Sequence, residues 1–289
     1  MKLLASPRAA VLLPDEAHLA CVANSGVFVC DLAGRTTKML RRATSHAPGR
    51  LAIVADRLLV QTATHLRAWS IRSWKESAAF DFDETHASVQ SISVDGARVL
   101  TRSYHPSRNR EFTVWDLARK RAIVTFKEKK SFVVGVTLSA DGRVVVHGGT
   151  DGVVRFFDVA RATHFARVPA KGWIDVAARS DDGRFFATGT RLGFVHVWSP
   201  TASLVRTMRL GARVFGIEIS PDGRILVAHG AKGAPIAWGL PRGERLFAID
   251  EHPKSGMFGG VRSVRFSRDG RRVVTTGNDY RACIFRIER

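Results

Sequence analysis

Along the chain, short runs of β-branched and aromatic residues alternate with polar turns that carry glycine. Phe132–Leu138 is one such run, Arg143–Val146 follows it after an Asp-Gly turn, and Val153–Phe157 follows the next Asp-Gly. Runs of this length, bounded by Asp-Gly, read as strands joined into hairpins. Ala122–Phe126 reads as an outer fourth strand closing the preceding group. Helical periodicity nowhere competes over a comparable length.

The pattern repeats. A Ser-x-Asp-Gly turn stands at Ser93–Gly96, Ser139–Gly142, Ser180–Gly183, Ser220–Gly223 and Ser267–Gly270. Each is followed by an aromatic anchor: Trp115, Phe157, Trp198, Trp238 and Phe285. Two degenerate copies precede them, Pro14-Asp15-Glu16 leading to Cys30-Asp31 and Ala55-Asp56-Arg57 leading to Trp69. Successive anchors are 39 to 47 residues apart, a period too long for leucine-rich or ankyrin repeats and right for a four-stranded blade.

On these residues the chain resembles the WD-repeat β-propellers, with Trp115-Asp116 and Phe157-Asp158 nearest to the family's Trp-Asp pair. The resemblance extends over residues 1–289 as a single domain. It implies an all-β, seven-bladed propeller of four-stranded antiparallel blades. Few repeats carry the family's Gly-His pair, and Trp69, Trp198 and Trp238 lack the following Asp. The buried Asp–His–Ser/Thr–Trp network of the family is therefore expected only in fragments, with Asp151 and Asp279 at its Asp position and Thr275 at its hydroxyl position. The last repeat, Val261–Phe266, Arg272–Thr276 and Arg281–Ile287, lacks its own outer strand. With the first blade starting near Ala9, the resemblance implies that Lys2–Ala5 supplies that strand and closes the ring.

Composition adds one anomaly. The 289 residues are 45% hydrophobic and 25% charged, ordinary for a folded chain, but 45 Lys+Arg against 26 Asp+Glu leave a net charge of +19. Three cysteines are too few for a secreted disulfide framework. Pro7 and Arg8 interrupt the apolar start too early for a signal peptide, and no apolar stretch is long enough to span a membrane. A cytoplasmic location is the expectation. A two-residue turn at Ser25-Gly26 would set Cys21 opposite Cys30, and a reducing compartment would keep both as thiols.

Catalytic constellations are missing from the sequence. Clusters such as Gly148-Gly149-Thr150-Asp151-Gly152 lie between strands, not between a strand and a helix, and so read as turns rather than phosphate loops. The histidines lack metal-ligand spacing, and His18, His65, His147, His196 and His229 fall in predicted strands, where packing or solvent contact is expected. The repeated turn aspartates read as bonding to their own turn backbone. No cofactor, metal or small-molecule substrate is expected.

Function in this architecture belongs to the loops at the ends of the ring. One face collects Arg108 and Arg110 in the long Tyr104–Glu111 segment, then Lys127, Lys129 and Lys130 before Phe132. Lys171 beside Trp173, Arg191, Arg213 beside Phe215, and Lys232 continue the arc. Arg119, Lys120, Arg143, Arg161, Arg184, Arg224 and Arg271 fall on the opposite face, so a general solubilising charge competes with a site as the explanation. The leading expectation is a non-enzymatic interaction module, a scaffold or complex subunit docking a protein with an acidic surface or peptide. A nucleic-acid-binding propeller is the alternative, and an enzyme with a site at the channel mouth comes third.

Overall fold

Each repeat folds into one antiparallel sheet whose strands pair in chain order from the inside outward. The computed structural model describes residues 7–23, 26–42, 51–54, 56–62, 65–81, 87–103, 111–129, 131–249, 252, 260–279 and 281–287. Blade 1 comprises β1 Pro7–Leu12, β2 His18–Ala23, β3 Gly26–Asp31 and β4 Thr36–Arg42. Blade 2 comprises β5 Leu51–Val54, β6 Arg57–Thr62, β7 His65–Ser70 and β8 Glu76–Asp81. Blade 3 comprises β9 Ala87–Ile92, β10 Arg98–Ser103, β11 Glu111–Asp116 and β12 Arg121–Lys127. Blade 4 comprises β13 Val133–Leu138, β14 Val144–Gly149, β15 Val153–Asp158 and β16 Thr163–Pro169. Blade 5 comprises β17 Ile174–Arg179, β18 Phe186–Thr190, β19 Phe194–Trp198 and β20 Leu204–Arg209. Blade 6 comprises β21 Val214–Ile219, β22 Ile225–Gly230, β23 Ile236–Gly239 and β24 Arg245–Ala248. Blade 7 shows β25 Val261–Phe266, β26 Arg272–Gly277 and β27 Ala282–Arg286. The seven blades form the propeller, and the expected closing strand Lys2–Ala5 lies outside the described residues.

The hydrophobic pattern records each strand's depth. Middle strands are covered on both faces by neighbouring blades, so β14 and β15 are almost wholly buried and read as continuous apolar runs. The outer strand β16 is covered on one face only and alternates exposed with half-buried positions along its length. Apolar side chains gather in seven clusters among the described residues, each joining two adjacent blades. Ala187, Val195 and Val197 of blade 5, for example, meet Leu226 and Trp238 of blade 6. The seam between first and last blades is of the same kind, with Leu19, Phe28 and both cysteines of blade 1 against Val274 and Ala282 of blade 7. β1 also packs on β25 and β26, so the ring is closed by packing.

The repeated turn behaves as its residues dictate. Ser139 Oγ donates to Asp141 Oδ1 at 2.7 Å, and the same oxygens accept from the amides of Val144 and Arg143. Gly142 then takes φ +71, and a Cβ there would fall 2.5 Å from Arg98 of the neighbouring blade, so glycine is required twice over. Register differs from expectation at one hairpin. Ala23 pairs with Gly26 and Cys21 with Phe28, so Cys21 and Cys30 are diagonal neighbours, not opposite ones. Both project to the same face, and the sulfurs lie 3.7 Å apart as free thiols. Hydrogen bonding to Cys30 pushes the Cys21 thiol well above its ordinary range, and burial adds to this.

Buried polar links join strands within single blades. Trp115 Nε1 donates to Thr101 Oγ1 at 2.8 Å in blade 3, and Trp198 Nε1 to Thr188 Oγ1 at 2.9 Å in blade 5. In blade 7, His252 joins Asp279 through Nδ1 (3.1 Å) and Thr275 through Nε2 (2.8 Å), the fragment of the family network anticipated at those two positions. Asp151 departs from it by pairing with Arg155 instead.

Two expected outcomes follow from this packing. Thr188→Val removes the acceptor for an indole N–H that is only 1% exposed and should cost about 1–3 kcal/mol in urea unfolding. The second concerns His196 and His229, which burial pushes down to about 4 each, with Lys171 and Arg265 respectively adding to the effect. The unfolded chain protonates these imidazoles near their ordinary value of about 6.5, whereas the folded chain keeps them neutral. Their contribution is therefore intact above that pH and is lost as pH falls toward about 4, each at up to roughly 1.4 kcal/mol per pH unit. Unfolding measured at about pH 7 and about pH 5 should show the loss, and His229→Gln should make the slope shallower.

Candidate functional site

Inner strands begin at one end of the ring, where the links between blades and the hairpins joining second to third strands also lie. Three half-exposed rings recur there at the inner strands of consecutive blades. Phe132 precedes β13, Trp173 precedes β17 and Phe215 is the second residue of β21; they are 43%, 43% and 49% exposed. Leu192, in the β18–β19 hairpin, is 61% exposed and covers Gly172 beside Trp173. An added Cβ at Gly172 would fall 2.9 Å from the Leu192 side chain.

Each ring carries a guanidinium. Arg102, reaching across from β10, stands 4.9 Å from the Phe132 centroid and donates from Nη1 to the Val133 carbonyl at 2.9 Å. Arg191 lies 4.2 Å over Trp173, and Arg213 lies 5.5 Å from Phe215. Asp175, the second residue of β17, organises the last two: Arg213 Nε donates to its carboxylate at 2.6 Å, and Arg191 Nε lies 3.8 Å away. With that side chain only 6% exposed, one buried carboxylate holds two arginines flat against two rings. Lys171 adds a third cation, 5.3 Å over Phe194.

The structure brings together Phe132, Lys171, Trp173, Arg191, Arg213 and Phe215 of the expected arc. Lys232 shares that end of the ring in the β22–β23 hairpin, and Lys129 is exposed in the link after β12. Lys127 pairs with Glu111 at 3.6 Å and thus spends its charge within blade 3. Arg108, Arg110 and Lys130 lie outside the described residues. Sequence reading missed Arg102 and Asp175, whose parts depend on contacts between blades.

On the opposite face six of the seven basic residues named for it are locally matched; no acidic partner accompanies Lys120 among the described residues. Arg119 pairs with Asp116 at 2.9 Å, Arg161 with Asp158 at 3.4 Å and Arg184 with Asp182 at 2.6 Å. Arg143, Arg224 and Arg271 lie within 4.0 Å of their own turn aspartates. Exposed pairs of this kind add little stability, but they cancel charge where it stands.

A second cluster lies between blades 3 and 4. His147 on β14, His164 on β16 and Glu128 after β12 bring their donor atoms within 4.8 Å of one another. The two Nε2 atoms are 2.9 Å apart. Arg155 on β15 bridges Glu128, at 3.2 Å, and Asp151. Burial pushes His147 down to about 3, with the nearby His164 and Arg155 adding to the effect. Packing was the expectation for His147; its convergence with His164 is a tertiary fact.

Comparison with known proteins agrees with the blades. The family described as "WD domain, G-beta repeat" matches residues 120–158 and 243–286. The chain is 24% identical over 213 residues to the U3 small nucleolar RNA-associated protein 21 of Saccharomyces cerevisiae, covering 73% of this chain and 22% of that protein. It is 27% identical over 178 residues to WD repeat-containing protein SL1-17 of Schistosoma mansoni, covering 60% and 56%. It is 24% identical over 177 residues to the Protein LST8 homolog of Drosophila melanogaster, covering 57% and 55%. The matches thus span about a fifth of the first relative and just over half of the other two. Seven blades, the recurring turn and these repeat matches support a WD-repeat β-propeller family for the chain, with no specific member.

Proposed function

We propose that this propeller is a non-enzymatic docking module that binds an acidic protein segment on the loop-bearing face of blades 4 to 6. The WD-repeat family supports a protein-interaction scaffold in general terms, since WD-repeat propellers are typically scaffolds rather than catalysts. The observation that carries the finer reading is the set of half-exposed rings, each backed by an arginine. Rings supply contact area at low entropic cost, and arginine is the cation suited to a partly desolvated contact. Around Trp173 and Phe215 three cations, Lys171, Arg191 and Arg213, meet one carboxylate, Asp175, so the surplus is positive. An acidic partner with an apolar centre complements that pattern.

Nucleic acid is the competing occupant. A guanidinium already occupies one face of each ring, which leaves fewer surfaces for stacked bases and favours the protein reading.

Capture from the native host at about 50 and about 200 mM salt tests the proposal, with both protein and nucleic acid identified. A protein should remain bound at the higher salt, because burial of the rings is poorly screened. Trp173→Ala should cost about 2 kcal/mol of affinity, mostly as faster dissociation, while its thermal melt stays near that of the parent. Arg191→Glu should chiefly slow association. The reading fails if nucleic acid alone is recovered and its affinity drops by roughly three orders of magnitude over that salt range. It fails equally if Trp173→Ala and Phe215→Ala fold normally and retain the partner unchanged.

A further inference from the structure

In blades 3 and 5 a buried indole donates to a threonine on the second strand. In blade 4 both partners are replaced. Register sets His147 where those blades have Thr101 and Thr188, and Phe157 where they have Trp115 and Trp198. Phenylalanine donates nothing, so His147 turns to other elements. Its Nε2 meets that of His164, 2.9 Å away on the outer strand, and Glu128 arrives from the preceding blade.

We propose that Glu128, His147 and His164 form a binding site for a divalent transition ion, with zinc the best match, tying blade 3 to blade 4. Two imidazoles and a carboxylate are borderline donors of the kind zinc takes, and three protein ligands leave a tetrahedral ion one position for water. With zinc–ligand bonds of about 2.0–2.1 Å, neighbouring donors in a tetrahedron stand about 3.3 Å apart. The imidazole nitrogens therefore need to part by only about 0.4 Å, and the carboxylate, inside the 4.8 Å spread, needs to close in by at most about 1.5 Å.

The carboxylates of Glu128 and Asp151 both meet the guanidinium of Arg155, which places anionic groups beside the two imidazoles. The rings are also held in place, His147 against the stacked pair Phe112 and Phe126 at centroid distances of 6.3 and 5.6 Å and His164 against Phe157 at 5.2 Å. Donors fixed before the ion arrives lose little freedom on binding it.

The test titrates the chelator-stripped full chain with Co²⁺. One equivalent should bind with the visible d–d absorption of a tetrahedral ion, be displaced by Zn²⁺, and raise the melting temperature. His164→Ala, at a half-buried position that the fold tolerates, should weaken binding by more than the roughly 10–100-fold typical of losing an outer partner. His164→Asn is the second variant at that position and should behave alike, Glu128→Gln should also weaken binding, and Cys21→Ser should leave it unchanged. Failure of the folded parent chain to take up the ion overturns the proposal without recourse to any variant. So does a cobalt–thiolate charge-transfer band, which would assign the ion to cysteine, or undiminished uptake by a folded His164 variant.

Discussion

Everything in this molecule rests on sheets stacking face to face around a circle. Among the described residues seven apolar clusters each belong to a pair of neighbouring blades. That arrangement explains why second and third strands are apolar on both sides and why inner and outer strands are not. It also explains why small residues recur where blades approach. At Gly189 an added Cβ would fall 2.5 Å from Val214 of the next blade, and at Gly135 it would fall 2.7 Å from the backbone of Val176 in the next blade. The blades hold one another at a spacing their sequences have agreed upon.

The two ends of the ring use the same residue type differently. Opposite the inter-blade links, Arg143, Arg184, Arg224 and Arg271 pair with their own turn aspartates. On the loop-bearing face, arginines lie on aromatic rings, and one buried carboxylate orients two of them. A net charge of +19 therefore does not describe a uniformly basic body. That figure already counts every acidic residue, so the pairs on the opposite face leave the excess undiminished; beside Trp173 and Phe215 three cations meet one carboxylate on a surface that is also apolar.

Local chemistry made the fold legible. Ser-x-Asp-Gly turns, continuous apolar runs in the middle strands and the 39-to-47-residue period are properties of short segments, so blade number and strand order could be read directly. Strand ends moved by a few residues: β1 starts at Pro7, β14 continues to Gly149 and β27 covers Ala282–Arg286. What escaped were relations between segments. Cys21 and Cys30 were placed opposite one another because the hairpin register hangs on a single turn, and a different register made them diagonal. Phe132, Trp173 and Phe215 were found as aromatics beside basic residues, but Arg102 and Asp175 act across blade boundaries that no spacing encodes. His252 lies in a long connection without strand pattern, and His147 meets His164 only after three strands have paired.

The seam between blades 7 and 1 gives the ring a topology with physical consequences. A linear stack of repeats has two free ends, and an end blade can peel away at the expense of one interface. In the closed circle every blade is flanked on both sides, so releasing any one of them breaches two interfaces at once. Among the described residues, Leu19 and Phe28 of blade 1 meet Val274 and Ala282 of blade 7 across that seam. Opening it, like opening any other interface, turns the circle into an arc with two exposed ends, from which the remaining blades can separate one after another.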